Sequence, residues 1–281
     1  MGPKKTTTLR QILEHKHREV EEHRERTPLA ELKERIEELG RPRNFFAAVT
    51  KRERKDATSV IAEIKRKSPS AGWIRPAYEN EPFDPVPIAR AYQSAGASAI
   101  SCLTDERFFA GKLEYIHQIR DAIKLPVLRK DFIVDPYQVW ESRAHGADAV
   151  LLIAEALQES MLLDLMILCR DLGLTALVEV HDPENLLRVR PHVGFPLRSY
   201  FLLGINNRDL DTMQTDLTHT LRLVDLVDQK DVLVSESGIS TPEDLRKLRM
   251  AGVRTVLVGE TLMRAENPGE ALEQLLATTR G

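Results

Sequence analysis

A chain of 281 residues, 42% hydrophobic and 30% charged, has the length for one large α/β barrel or two small domains and the apolar content for a sizeable core. A net charge of −3 supplies no basic face, so a nucleic-acid partner is not expected. Cys102 and Cys169 each sit in an apolar stretch, which argues against a disulfide framework and for two buried thiols in a reducing compartment.

Met1 to Thr8 is basic and then polar, with no apolar signal core behind it, and no transmembrane run follows. A cytoplasmic protein with no membrane partner is the expectation. From Leu9 to Leu39 a thin apolar stripe recurs at helical spacing (Leu9, Ile12, Leu13, Val20, Leu29, Leu32, Ile36, Leu39) and breaks near Thr27-Pro28. It predicts two or three helices, an N-terminal extension over residues 9–56. His15, His17 and His23 lie there, but residues 15 and 17 are about 200° apart on a helix, so a solvated face is expected rather than a metal site.

After Ala57 short β-branched runs begin to alternate with helical segments. Strands are predicted at Ser59–Ile64, Ser98–Leu103, Pro126–Arg129, Ala147–Ile153, Thr175–Val180, Tyr200–Ile205, Val232–Ser235 and Arg254–Val258. Helices are predicted at Val86–Ala95, Leu113–Ala122, Pro136–Ala144, Glu159–Leu172, Pro183–Val189, Leu217–Val227, Thr241–Met250 and Pro268–Thr278. The alternation predicts an α/β fold, a (β/α)₈ (TIM) barrel that takes in residues 1–281 as one domain. Nearly continuous apolar strands suit a covered parallel sheet. A weak repeat agrees: Gly96-Ala97-Ser98-Ala99-Ile100, Gly146-Ala147-Asp148-Ala149-Val150 and Gly252-Val253-Arg254-Thr255-Val256 each end a helix and start a strand. Asp135-Pro136, Asp182-Pro183 and Thr241-Pro242 each put a capping side chain before a first-turn proline. A doubly wound sheet fits less well, because no Gly-x-Gly-x-x-Gly follows a first strand.

Working residues of such barrels lie at the C-terminal strand ends. There the chain has Glu63 and Lys65, Lys130, Glu179, Asn206 and Arg208, and Glu236 and Ser237. Glu63 and Lys65, two apart on a strand, point the same way, as a catalytic pair or as an ion pair lining the mouth. Lys130 can be a general acid, a Schiff-base nucleophile or a carboxylate anchor. Asp131 either holds it in place or is a local ion-pair partner. Glu179 ends an apolar run, where burial would raise a carboxyl above about 4.3 and make it a usable acid or base. Gly238 and Gly259 open the last two loops, where glycine lets backbone N–H groups approach a phosphate and a following helix start adds partial positive charge. A phosphorylated small molecule is the expected ligand.

Six motifs in order are similar to those of the indole-3-glycerol-phosphate synthase family of tryptophan biosynthesis: Ile61-Ala62-Glu63-Ile64-Lys65-Arg66-Lys67-Ser68-Pro69-Ser70, Leu128-Arg129-Lys130-Asp131-Phe132-Ile133, Val178-Glu179-Val180-His181, Gly204-Ile205-Asn206-Asn207-Arg208-Asp209-Leu210, Val234-Ser235-Glu236-Ser237-Gly238-Ile239 and Val258-Gly259-Glu260-Thr261-Leu262-Met263. The resemblance spans about Asn44 to Met263, and a helical N-terminal extension is also typical of that family. It implies a decarboxylating lyase that converts 1-(2-carboxyphenylamino)-1-deoxyribulose 5-phosphate to indole-3-glycerol phosphate, CO₂ and water, with no metal and no organic cofactor, as a monomer or homodimer. Residue by residue, it implies Lys130 as the acid at the ketone oxygen, Glu179 and Lys65 sharing the dehydration, and Glu63 holding Lys65. Asn206 would bind a substrate hydroxyl. Arg208, Ser68 and Ser70 would seat the anthranilate carboxylate, and Glu236 would shape the polar wall. Ser237, Gly238, Gly259 and the Glu260 backbone would hold the phosphate. Phe132 and Trp73 would pack on the ring or serve the core.

Two departures carry expectations of their own. The stretch from Pro183 to Gly204, including Pro191-His192-Val193-Gly194-Phe195-Pro196, is longer than usual and should add a loop on the outer or bottom face. Glu260 stands where a smaller residue is common: if backbone alone binds the phosphate its side chain can face away, and if it cannot, phosphate affinity falls. The extension either lids the active site or caps the barrel bottom. Two other readings were open on residues alone: an isomerase of a phosphorylated sugar-amine, disfavoured because strand 1 carries Glu63 and Lys65 rather than a cysteine, and a non-catalytic phosphometabolite-binding barrel, disfavoured by ionisable groups at several strand ends.

Overall fold

A computed structural model describes residues 8–52, 54, 57–193, 199–209 and 214–277. Eight parallel strands close into a barrel: β1 (Ser59–Ile64), β2 (Ala99–Leu103), β3 (Val127–Lys130), β4 (Ala149–Ile153), β5 (Thr175–Val180), β6 (Phe201–Asn206), β7 (Leu233–Glu236) and β8 (Thr255–Val258). Each pairs with its sequence neighbour, and β1 closes on β8 through Ser59 opposite Thr255 and Ala62 opposite Val258. Nearly every strand residue is buried, as expected of a parallel sheet filled inside and covered by helices outside.

The sequence-based boundaries hold to within one or two residues. β3 runs one residue later than predicted, so Lys130 is its last residue. β4 starts at Ala149 because Asp148 leaves the sheet pattern: its carboxylate accepts the backbone N–H groups of Arg43 and Val127 at 2.7 and 2.9 Å. The predicted helix Leu217–Val227 is a short α-helix, Thr218–Leu223, that tightens to a 3₁₀ turn over Val224–Leu226. The last helix, Pro268–Leu276, stops short of Thr278, which lies outside the described residues. All three capping side chains bond a first-turn N–H, and Gly96, Gly146 and Gly252 all end their helices with positive φ.

The extension forms three helices, α1 (Thr8–Arg26), α2 (Leu29–Glu38) and α3 (Phe45–Thr50), with Pro28 at the predicted break. It serves both ends of the barrel. α1 crosses the C-terminal mouth. There Lys16, fully buried, places Nζ 3.0 Å from Asp105 and 2.9 Å from Asp131, the residues that follow β2 and β3. α3 plugs the opposite end: Phe45 and Val49 are buried in the main core, the Phe46 N–H donates to Thr175, and Thr255 donates to the Val49 carbonyl. Of the extra stretch before β6, residues 194–198 lie outside the described residues. Its nearer end, with Val193, packs beside Val232 at the N-terminal end of β7, the bottom face.

Candidate active site

The C-terminal strand ends converge on one cavity, whose lining includes fourteen of the residues singled out for the site: Glu63, Lys65, Ser68, Ser70, Lys130, Phe132, Glu179, Asn206, Arg208, Glu236, Ser237, Gly238, Gly259 and Glu260. Strand pleating explains the convergence. Alternate residues of each strand point inward, so the last inward position of β1, β3, β5 and β7 delivers a side chain to one spot.

Two ion pairs occupy it. Lys65 donates to Glu63 Oε1 at 2.7 Å, the same-face pair that a separation of two on a strand predicts. Lys130 donates to Glu179 Oε2 at 3.0 Å, with Glu236 Oε2 at 3.6 Å. Asp131 takes no part in this. Its carboxylate turns to the opposite side of the strand and accepts from Lys16, Arg129 and Thr104. Consecutive residues project oppositely, so Asp131 is the ion-pair partner of its own surroundings and does not hold Lys130.

Crowding three carboxylates around two lysines separates their proton affinities. Burial opposes the ionised form of Glu179, but the charges of Lys130 and His181 outweigh it and hold its carboxyl below the usual range. This reverses the expectation that burial would raise it. Burial and then the Glu179 charge push Glu236 well above the usual range. For Lys130, burial is outweighed by Glu179, Glu236 and Glu63, and the ammonium is held charged. The site therefore drives two adjacent carboxyls apart, Glu179 toward the base and Glu236 toward the acid.

At the far side, Ser237 and Gly238 are consecutive residues with φ of 67° and 74°. A left-handed serine is uncommon. Asn207 fixes it, donating from Nδ2 to the Ser237 carbonyl and to Ser235 Oγ, both at 3.0 Å. Gly259 serves a purpose the sequence did not reveal: a Cβ there would fall 2.3 Å from Glu63 Oε1. Its missing side chain makes room for the carboxylate that holds Lys65. Gly204, within β6, likewise leaves room for Glu236, whose Oε1 would sit 2.2 Å from an added Cβ. The one-turn helix Glu260–Arg264 begins here, so its first N–H groups have no partner of their own helix. The Glu260 carboxylate leans along the rim, 3.0 Å from Arg208 and 2.8 Å from Arg264. Arg208 also donates to Ser70 at 2.8 Å, and Ser70 lies 3.2 Å from Ser68. Asn206 accepts the Arg208 N–H at 3.0 Å.

Sequence reasoning missed the apolar wall. Leu9 and Ile12 of α1, Leu103, Phe109, Leu151 and Ile153 line the cavity beside Phe132, with Phe109 and Phe132 6.0 Å apart between ring centroids. The aromatic run Phe108-Phe109 after strand 2 was the signal available. Trp73 is not among the lining residues; it carries Arg66 and Lys67 over its ring on a small hairpin, Lys67–Ser68 with Gly72–Trp73. The histidines of α1 have local partners, His23 with Glu141 at 2.7 Å and His15 with Glu19 at 3.5 Å. Cys102 and Cys169 are free and buried, and burial pushes both thiols up.

A closed (β/α)₈ barrel with paired acid–base groups and a backbone turn at its C-terminal mouth defines the class: a barrel enzyme of acid–base chemistry. The family model for indole-3-glycerol phosphate synthase matches residues 9–275. Indole-3-glycerol phosphate synthases from two strains of Acidithiobacillus ferrooxidans are 46% identical over 270 residues, 96% of this chain and 98% of theirs. That of Rhodopirellula baltica is 46% identical over 251 residues, 89% of this chain and 92% of its own. The chain belongs to the indole-3-glycerol phosphate synthase family. A thiamine phosphate pyrophosphorylase structure from Pyrococcus furiosus, 17% identical with a TM-score of 0.54 over 80% of this chain and 96% of its own, shares the fold alone. Among the described residues no helix is long and apolar enough to cross a membrane.

Proposed function

We propose that the chain converts 1-(2-carboxyphenylamino)-1-deoxyribulose 5-phosphate to indole-3-glycerol phosphate, CO₂ and water with its own side chains as the acids and bases. The observation that carries the reading is the meeting, in one cavity, of the Lys130–Glu179 and Lys65–Glu63 pairs with the Ser237-Gly238 and Gly259-Glu260 turns. In this reading the backbone of Ser237, Gly238, Gly259 and Glu260 binds the phosphate, and Arg208 with Ser68 and Ser70 receives the anthranilate carboxylate. Phe109, Phe132, Leu9 and Ile12 pack on the ring, and Asn206 binds a hydroxyl.

Lys130, held charged, protonates the ketone oxygen as the ring carbon bearing the carboxylate attacks the ketone carbon. The C–CO₂ bond then breaks and its electrons neutralise the iminium nitrogen. Loss of water needs one acid at the departing hydroxyl and one base at the methylene next to nitrogen, roles for Lys65 and Glu179. Glu63 positions Lys65, and Glu236 shapes the polar wall beside Glu179. We take residues 1–281 as one folding unit acting in the cytoplasm, with α1 as its lid.

Purified protein should turn the substrate into a product with indole fluorescence, equally well with EDTA present, and should leave the substrate of a phosphoribosylanthranilate isomerase untouched. Turnover of the isomerase substrate alone would overturn the reading.

A further inference from the structure

His181 follows Glu179 by two residues and none of the roles above uses it. Its side chain is 7% exposed, and it stands behind Glu179 rather than on the cavity wall. Nδ1 lies 3.2 Å from Glu155 Oε2, and the His181 backbone N–H donates to Glu155 Oε1 at 2.7 Å. Nε2 lies 3.3 Å from Glu179 Oε1, within ion-pair distance but not aligned for a hydrogen bond, and is otherwise unpartnered. The other Glu179 oxygen receives Lys130. Glu155 is itself placed by the short turn after β4, whose carbonyls at Ala154 and Leu157 accept Arg188 from helix Pro183–Val189. The charged groups around the imidazole are thus Glu155, Glu179 and, beyond it, Lys130, with the Arg188 guanidinium turned to the carbonyls.

Both ring nitrogens face carboxylate oxygens. A neutral imidazole has one N–H and would aim a bare lone pair at one of them; an imidazolium hydrogen-bonds Glu155 through Nδ1 and sets a positive charge against Glu179 through Nε2. We propose that His181, held as an imidazolium by Glu155, is a positioning residue that fixes Glu179 Oε1, keeps Glu179 ionised, and thereby makes Glu179 the proton acceptor of the dehydration with Lys65 as its proton donor. The inference rests on the reaction proposed above.

The proton balance closes. Glu179 takes a proton from the methylene carbon as that C–H pair forms the new double bond and the C–O bond breaks. Lys65 protonates the departing oxygen, which leaves as water. Glu179 then returns its proton to Lys130, 3.0 Å away, which had given one to the ketone. Lys65 regains a proton from solvent, so one proton is consumed per turnover, as conversion of a carboxylate to neutral CO₂ requires. Burial opposes charge on His181, but the Glu155 hydrogen bond and the Glu179 charge outweigh it and raise its proton affinity. The supporting charge is present at low pH and is lost as pH rises through the raised value.

The test compares kcat and KM across pH for the wild type, His181→Gln, Glu155→Gln and Glu179→Gln, with the His181 imidazole titrated by NMR. His181→Gln keeps a donor but no charge. It should lower kcat by about 10²-fold, move KM less than about threefold, and remove an alkaline limb from the kcat profile. In Glu155→Gln and Glu179→Gln the imidazole should titrate at lower pH than in the wild type. A His181→Gln enzyme with the wild-type kcat and alkaline limb overturns the proposal. So does an imidazole whose midpoint is unmoved in both Glu variants, a readout that stands if His181→Gln fails to fold. A fully active Glu179→Gln would instead overturn the role given to Glu179; an inactive Glu179→Gln beside a normal His181→Gln would overturn only the role of His181.

Discussion

The two ends of the barrel use the same residue types to opposite effect. At the bottom, Asp148 is completely buried, yet two backbone N–H groups and the Arg120 guanidinium, at 2.9 Å, satisfy it. Thr175 and Thr255 tie α3 to the strand starts in the same way. At the mouth, Glu63, Glu179 and Glu236 share two lysines, and the Glu236 oxygens have no aligned hydrogen-bond partner. Backbone satisfaction makes a buried carboxylate a fixed staple. Competition for too few cations leaves it able to exchange a proton. The bottom is built for stability and the mouth for chemistry, and substitutions should separate the two.

The largest effect is expected from Lys130→Met. It removes the proposed acid while keeping an apolar stem, and kcat should fall by about 10²–10⁴-fold with a much smaller change in unfolding midpoint. Near-normal turnover would break the contrast at its catalytic side. At the other end, Asp148→Ala strands two backbone donors and an arginine. It should cost about 3 kcal/mol in urea unfolding, with the surviving folded fraction turning over at the wild-type rate. A large loss of kcat per folded molecule would show that the bottom is not merely structural.

A third effect sits where α1 joins the mouth. Burial opposes ionisation of Glu141, but Arg129 and His23 outweigh it and bring its carboxyl down from 4.5 to about 2. A depressed carboxyl stabilises the fold above its unfolded value, and the contribution disappears as pH falls from 4.5 toward about 2. Glu141→Gln should be less stable than wild type at neutral pH by up to about 3 kcal/mol, and the difference should shrink through that acid window in chemical denaturation. A gap that does not narrow with acid would remove Glu141 from the account. The smallest effect is at the rim. In the proposed reading Glu260 would compete with the substrate carboxylate for Arg208, through a partly buried rim pair worth about 1 kcal/mol at most. Glu260→Gln should lower KM by no more than about fivefold; a marked rise would mean that the side chain itself supports the phosphate.

The sequence was most legible where a rule has a short range. Alternation and capping gave the eight strands, and a spacing of two gave the Glu63–Lys65 pair, because strand geometry fixes both within a few residues. It was least legible where partners come from far along the chain. Nothing near Lys16 announces Asp105 and Asp131, and nothing near Gly259 announces Glu63, 196 positions earlier. Asp131 looked like a partner for Lys130 because they are adjacent, and adjacency on a strand is what separates them. The wall that Leu9, Ile12 and Phe109 build beside Phe132 was overlooked because apolar residues on a helix stripe or in a loop look like core until closure shows which of them face a cavity.

The sequence by itself determined the alternating elements, the barrel, the family motifs and the fourteen residues that meet at the mouth, since each follows from local periodicity or from a motif that travels intact. Only the tertiary structure decided the opposite shifts of Glu179 and Glu236, the reach of the extension to both ends of the barrel, and the contacts that put His181 behind Glu179. Those depend on distances between strands, and closing the barrel is what sets them.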